Sequence, residues 1–178
     1  MQKKAKNAPP NPPRAHLMKP TKATQREVPI RKNWKNLRLK PVEVRRAVHA
    51  LDTCGHFSCP PGELSVVFMD DTEIARLHEE FFNDPEPTDV ITFEGCPEMD
   101  FAGEICISAE HALAYAQCHK LDFSRELTLY LAHGYLHLCG FDDLDPAAKR
   151  KMRAAEKNAL AVLENSHLIP AFQVEERK

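Results

Sequence analysis

An α+β domain is the fold class this sequence predicts, with a small mixed β-sheet of about three to four strands packed with about five helices. Three observations predict it. Short β-branched and aromatic runs alternate with longer segments of helical apolar spacing. The 178 residues suit a single domain large enough to bury a core, and they contain no internal repeats. One segment, Leu127-Thr-Leu-Tyr-Leu-Ala-His133, is nearly all apolar, which puts its helix in the core.

The elements follow in order. Pro41 fits a first helical turn, and Val44, Val48 and Leu51 give an apolar stripe over 41–53. Leu64-Ser-Val-Val-Phe-Met69 reads as a strand. Asp70 or Asp71 can cap a helix over 72–82, with Ile74, Leu77, His78 and Phe81 on one side. Asn83-Asp-Pro-Glu-Pro87 is a turn, Asp89-Val-Ile-Thr-Phe93 a second strand, and Gly95 to Asp100 a polar loop containing Pro97. Gly103-Glu-Ile-Cys-Ile107 is a third strand, and Ser108 caps a helix over about 109–119. Asp122 or Ser124 opens the next helix, to about 139. Asp145-Pro146 is an N-cap and N1 pair for a last helix over about 146–164. The Lys149-Arg-Lys-Met-Arg153 cluster on that helix reads as a solvated face that could also touch phosphate.

Charge divides the chain. Residues 1–40 hold twelve Lys or Arg against one acid, Glu27, a net of +11, and six of the fourteen prolines. The remainder carries −13. A basic, proline-rich, apolar-poor segment buries too little surface to offset its ordering entropy, so residues 1–33 are expected to be a disordered arm suited to polyanions. A single domain is expected over 34–170 and a tail over 171–178. No apolar run approaches the roughly 18–20 residues of a membrane span, and no apolar segment follows the charged N-terminus as in a secretory signal. A soluble, cytoplasmic protein is expected, and its six cysteines are expected to be reduced and mostly buried. Cys54-x4-Cys59 makes a poor zinc knuckle without a second matching pair. P-loop and dinucleotide signatures are absent, so no nucleotide cofactor is expected.

The chemistry concentrates at His133-Gly-Tyr-Leu-His137. Histidines four apart share one helix face and can bind one metal ion. Gly140 offers a helix stop, after which the chain can bring Asp142, Asp143 or Asp145 onto the same ion. Two imidazoles, one carboxylate and an open fourth position describe a catalytic zinc site. Zinc proteases of the His-Glu-x-x-His type place a general base where this chain has Gly134, which argues against proteolysis. Asp142 and Asp89 are the candidate general bases; Asp142 also suits a turn cap and Asp89 a loop anchor.

Three blocks carry a family resemblance. His133-Gly-Tyr-Leu-His-Leu-Cys-Gly-Phe-Asp-Asp143 resembles the signature His-Gly-x-Leu-His-Leu-x-Gly-Tyr-Asp-His of the YbeY-type rRNA maturation factors. Pro87-Thr-Asp-Val-Ile-Thr-Phe93 is similar to that family's Pro-Thr-Asp-Val-Leu-Ser-Phe, and Gly103-Glu-Ile-Cys-Ile-Ser108 to its Gly-Asp-Ile-x-Ile-Ser. The resemblance spans about residues 60 to 160. It implies a metal-dependent, single-strand-specific endoribonuclease that matures ribosomal RNA, notably the small-subunit 3′ end, and takes part in ribosome quality control. It implies one zinc per chain held by His133, His137 and Asp143, with unpaired RNA and the ribosomal small subunit as partners. Two departures stand out. Asp143 replaces the family's third histidine, and Phe82 stands where many members carry an arginine suited to phosphate. The alternative these departures leave is a ribosome assembly factor with a structural zinc, in which the arm does the binding.

Overall fold

The computed structural model describes residues 25–175. Its architecture follows from strand alternation. In β3 (Glu63–Met69) Leu64, Val66 and Phe68 enter one core, while Val67 and Met69 enter a second on the opposite face. A strand buried on both sides belongs inside a sheet. The sheet order is β1 (Ile30–Lys32), β3, β5 (Phe101–Ser108) and β4 (Val90–Cys96). The first three strands run parallel, and β4 is antiparallel to β5. A separate two-stranded sheet pairs β2 (Leu37–Arg38) with β6 (Gln173–Val174).

Five helices cover the main sheet. The larger core takes residues from α1 (Pro41–Thr53), α3 (Ala109–His119), α4 (Phe123–Leu138) and α5 (Pro146–Asn165). The opposite face is closed by α2 (Asp71–Phe82) through Ile74 and Leu77. The expected fold class and helix count hold, and α4, the helix that carries His133 and His137, does lie in the core. Four helices are capped as their sequences suggest. The side chains of Asp70, Ser108, Asp122 and Asp145 each accept a bond from a first-turn backbone N–H.

The chain ends differ from expectation. Residues 25–33, placed in the arm, run against the sheet: Val28 is buried, and Ile30–Lys32 pair with Val66–Phe68. Three residues, two of them basic, carry no strand signal of their own; the exposed edge of β3 supplies it. The expected tail likewise packs. Phe172 is buried against Phe68, their rings 5.4 Å apart, and β6 closes on β2. Residues 1–24 and 176–178 lie outside the described residues, and with them the rest of the expected arm and tail. The loop expected over 95–100 is a hairpin, with β4 paired as far as Cys96↔Phe101 and a 3-10 turn at Pro97–Met99.

All six cysteines are free thiols, but they are not mostly buried. Cys106 is buried, Cys54, Cys59 and Cys139 are half-buried, and Cys96 and Cys118 are exposed. Burial and the Glu104 carboxylate push the Cys106 thiol up to about 12. No described helix is long and apolar enough to cross a membrane.

One glycine sets the position of α4. A Cβ on Gly134 would sit 2.4 Å from Ile105 Cγ2 and 3.0 Å from Val90 Cγ1. The helix therefore lies on β4 and β5 at a distance that only glycine allows, and the residue after His133 cannot carry a general-base side chain.

Candidate active site

α4 carries His133 and His137 in its last two turns, and the helix end orients both. Gly140, at φ +86°, supplies the left-handed residue after the C-cap. The Phe141 N–H donates to the Leu136 carbonyl at 3.0 Å and the Gly140 N–H to the His137 carbonyl at 2.9 Å. This pair of bonds is the Schellman closure, and it turns the chain back along the helix. The Phe141 carbonyl then lies 3.1 Å from His137 Nδ1. The Asp142 carboxylate accepts from the backbone N–H groups of Asp143 (2.7 Å) and Leu144 (3.2 Å). Asp142 thus shapes the turn that presents Asp143, and it is not among the residues lining the cleft.

Three side chains converge. His133 Nε2 and His137 Nε2 face each other at 3.0 Å, and Asp143 Oδ1 lies 3.9 Å from His137 Nε2. The ligand atoms of all three fall within 4.8 Å of one another, and all three residues are half-buried. The outward nitrogens are both occupied. His133 Nδ1 is 2.7 Å from Glu156 Oε1 on α5, and His137 Nδ1 faces the Phe141 carbonyl. An acceptor at each Nδ1 assigns the proton there and leaves each Nε2 lone pair directed at its neighbour. Two lone pairs and a carboxylate meeting at one point repel one another unless a cation or a proton sits between them. The donor set fits a divalent metal.

Burial opposes a charged His133 and is the largest single influence, but Glu156, with help from Asp89 and Asp143, outweighs it and raises the pKa. His137 is lowered, first by burial and then by the neighbouring His133 charge. Two imidazoles this close do not both carry a positive charge.

The cluster opens into a cleft of about 290 Å³ between α4 and α5. His133, Asp143, Asp89, Tyr130, Lys149 and Arg153 are among its walls. Asp89 also lines this cleft. Its Oδ1 accepts from the Val90 N–H (2.9 Å) and the Thr88 hydroxyl (3.1 Å), so it anchors the start of β4 while facing the cleft. Phe82 ends α2, half exposed and 5.4 Å from the His78 ring, and is not part of the lining.

Sequence reasoning missed Glu156 and Tyr130. Tyr130 lies one turn before His133, and burial, then Asp89 and Glu126, push its phenol well above the usual range. Glu156 had a faint signal: it follows Lys149 and Arg153 by seven and three residues, on the same stripe of α5. α5 is held there by Leu136, Met152 and Ala155, which form a small core between the helices.

The site lies within a span that matches a known family. The family model described as Endoribonuclease YbeY matches residues 22–164, a span that holds every residue of the cleft. The chain is 34% identical over 115 residues to the Endoribonuclease YbeY of Porphyromonas gingivalis, covering 65% of this chain and 76% of that protein. It is 30% identical over 138 residues to the Endoribonuclease YbeY of Chlamydia caviae, covering 72% and 87%. A solution structure of a Thermotoga maritima protein shares the fold, with a TM-score of 0.56 at 23% identity over 79% of this chain and 91% of that one. With its paired histidines, its Pro-Thr-Asp and Gly-Glu-Ile blocks and this match over most of its length, the chain belongs to the Endoribonuclease YbeY family.

Proposed function

We propose that this protein is a zinc-dependent endoribonuclease that cuts unpaired RNA. Its role is the maturation of ribosomal RNA at the small-subunit 3′ end and ribosome quality control, in the cytoplasm. The observation that carries the reading is the convergence of two Nε2 atoms and a carboxylate beside a cleft, in a chain of an endoribonuclease family. His133, His137 and Asp143 would hold one zinc, a set of two nitrogens and one oxygen that suits a catalytic site. Bound there, the ion supplies Lewis-acid polarisation of a phosphoryl oxygen and lowers the pKa of water.

The chain's own residues do the rest. Glu156 and the Phe141 carbonyl hold the two rings in register. Asp89 faces the cleft with a carboxylate and takes the proton of the attacking hydroxyl as a general base. The Tyr130 phenol stays protonated and can donate to a non-bridging phosphate oxygen. The P–O bond to the leaving 5′-oxygen breaks as the new one forms, and that oxygen collects a proton from solvent. A phosphodiester has to enter the cleft beside His133 to react, which favours an unpaired strand over a duplex.

The test is cleavage of matched single-stranded and duplex RNA by zinc-loaded protein, beside His133→Ala prepared identically. Cutting of the single strand alone, lost in His133→Ala, is the expected result. No cutting of either by fully loaded wild type would replace this reading with a structural-zinc assembly factor. A 2′-deoxy linkage at the cut position identifies the nucleophile: persistent cutting assigns water, and lost cutting assigns the 2′-hydroxyl.

A further inference from the structure

We propose that Lys149 and Arg153 form a phosphate-gripping wall that holds the backbone of an unpaired RNA strand beside the His133–His137–Asp143 cluster. The inference rests on the reading of the cleft as an RNA site. It starts from helical spacing. Residues 149, 153 and 156 follow at intervals of four and three, so they form one stripe along α5. Glu156 is tied to His133 at 2.7 Å, which fixes the direction of that stripe. Lys149 and Arg153 therefore continue along the cleft wall toward the start of α5, and both line it. Arg150 and Lys151, between them in sequence, do not.

Charge gives the wall its use. Residues 41–178 carry a net of −13, which repels a polyanion unless positive charge is gathered where the strand must pass. The cleft lining holds three carboxylates, from Asp89, Asp143 and Glu156, and two cations, Lys149 and Arg153. Glu156 is engaged by His133, and Asp143 sits at the histidine pair. Both cations are exposed, and among the described residues neither makes an ion pair. By contrast, Arg125 is committed to Glu164 and Arg26 to Asp52. Uncommitted ends of this kind suit phosphate, with the arginine fork reaching two oxygens of one group and the lysine acting as a point charge on the next.

The experiment measures binding separately from cutting. Zinc-loaded wild type, Lys149→Ala/Arg153→Ala and the control Arg150→Ala/Lys151→Ala are titrated against a labelled, unstructured 2′-O-methyl oligouridylate over a range of salt. The control removes the same charge from the same helix. Melting temperature and zinc content should match in all three, because all four side chains are exposed. The cleft pair should lose about tenfold in affinity per contact at low salt. Its log–log salt slope should fall by about 1.4, for two contacts on a single strand. Lys149→Arg should retain binding, and the control pair should change little.

Equal losses in the two double variants, no loss in the cleft pair, or no binding by wild type would each overturn the proposal. Cleavage is scored separately. If the cleft pair loses binding as expected and wild type never cuts RNA, the nuclease reading fails and the phosphate wall stands. If wild type cuts and the cleft pair keeps both KM and salt slope, the wall alone fails.

Discussion

His133 Nδ1 and Glu156 Oε1 lie 2.7 Å apart across the interface of α4 and α5, which ties the pose of a ring on one helix to a carboxylate on the other. The contact is nearly buried, with side-chain exposures of 17% and 19%, so water competes weakly for either partner. A ligand imidazole so braced is fixed in tautomer and made more basic. Glu156→Ala should therefore weaken zinc binding by about 10–100-fold. Glu156→Gln, which keeps an acceptor oxygen, should fall between. Competition with a chromophoric chelator measures both, and an unchanged affinity in Glu156→Ala would remove Glu156 from the site.

Asp143 completes the cluster from the loop after α4. Asp143→Ala should weaken zinc binding, because two imidazoles alone leave the set one ligand short. Asp143→His should preserve or strengthen it, since an imidazole replaces the carboxylate as third donor. Zinc content after dialysis distinguishes the variants. Retention by Asp143→Ala equal to wild type would assign the third position to another group.

Most of this site was legible in sequence, for reasons that can be named. The histidine pair has a helical period, and Gly140 is a recognisable stop, so α4, its end and the return of one of Asp142, Asp143 and Asp145 follow from local rules, while the family resemblance singles out Asp143. β3, β5 and the helices announce themselves through β-branched runs, caps and apolar stripes. What escaped depends on distant contacts. β1 is three residues templated by the edge of β3, and β6 pairs with a strand 136 positions earlier in register Leu37↔Val174 to Arg38↔Gln173. Glu156 acquires meaning only once Leu136, Met152 and Ala155 bring α5 over the end of α4. Asp142 and Asp143 are adjacent and chemically alike, and only the turn decides that one caps backbone while the other faces the histidines.

Gly134 makes a stability prediction against intuition. In an exposed helix Gly→Ala gains up to about 1 kcal/mol. Here the added methyl would meet Ile105 Cγ2 at 2.4 Å, and Ile105 is fully buried and β-branched. Overpacking of this kind costs about 1–3 kcal/mol. Gly134→Ala should lower the unfolding midpoint in denaturant without changing the slope. A raised midpoint would mean that α4 lifts off the sheet at little cost.

Truncation should separate residues 25–33 from the segment before them. Val28 is buried and Ile30–Lys32 pair with β3, so removal of residues 1–33 should destabilise the domain. Removal of residues 1–24 should leave melting and zinc content unchanged while taking away six Lys or Arg. It should weaken RNA or ribosome association and flatten its salt dependence. If binding at low and high salt is the same with and without residues 1–24, that segment does not contact the polyanion.

A His133–His137–Asp143 metal centre that cuts unpaired RNA must work only when it is loaded. The most direct measurement is the initial rate of single-stranded RNA cleavage as zinc is titrated into metal-stripped protein. The rate should rise from baseline, saturate at about one zinc per chain and stay at baseline throughout in His133→Ala/His137→Ala. A rate already maximal in the stripped protein, or a flat baseline in wild type at full occupancy, would contradict it.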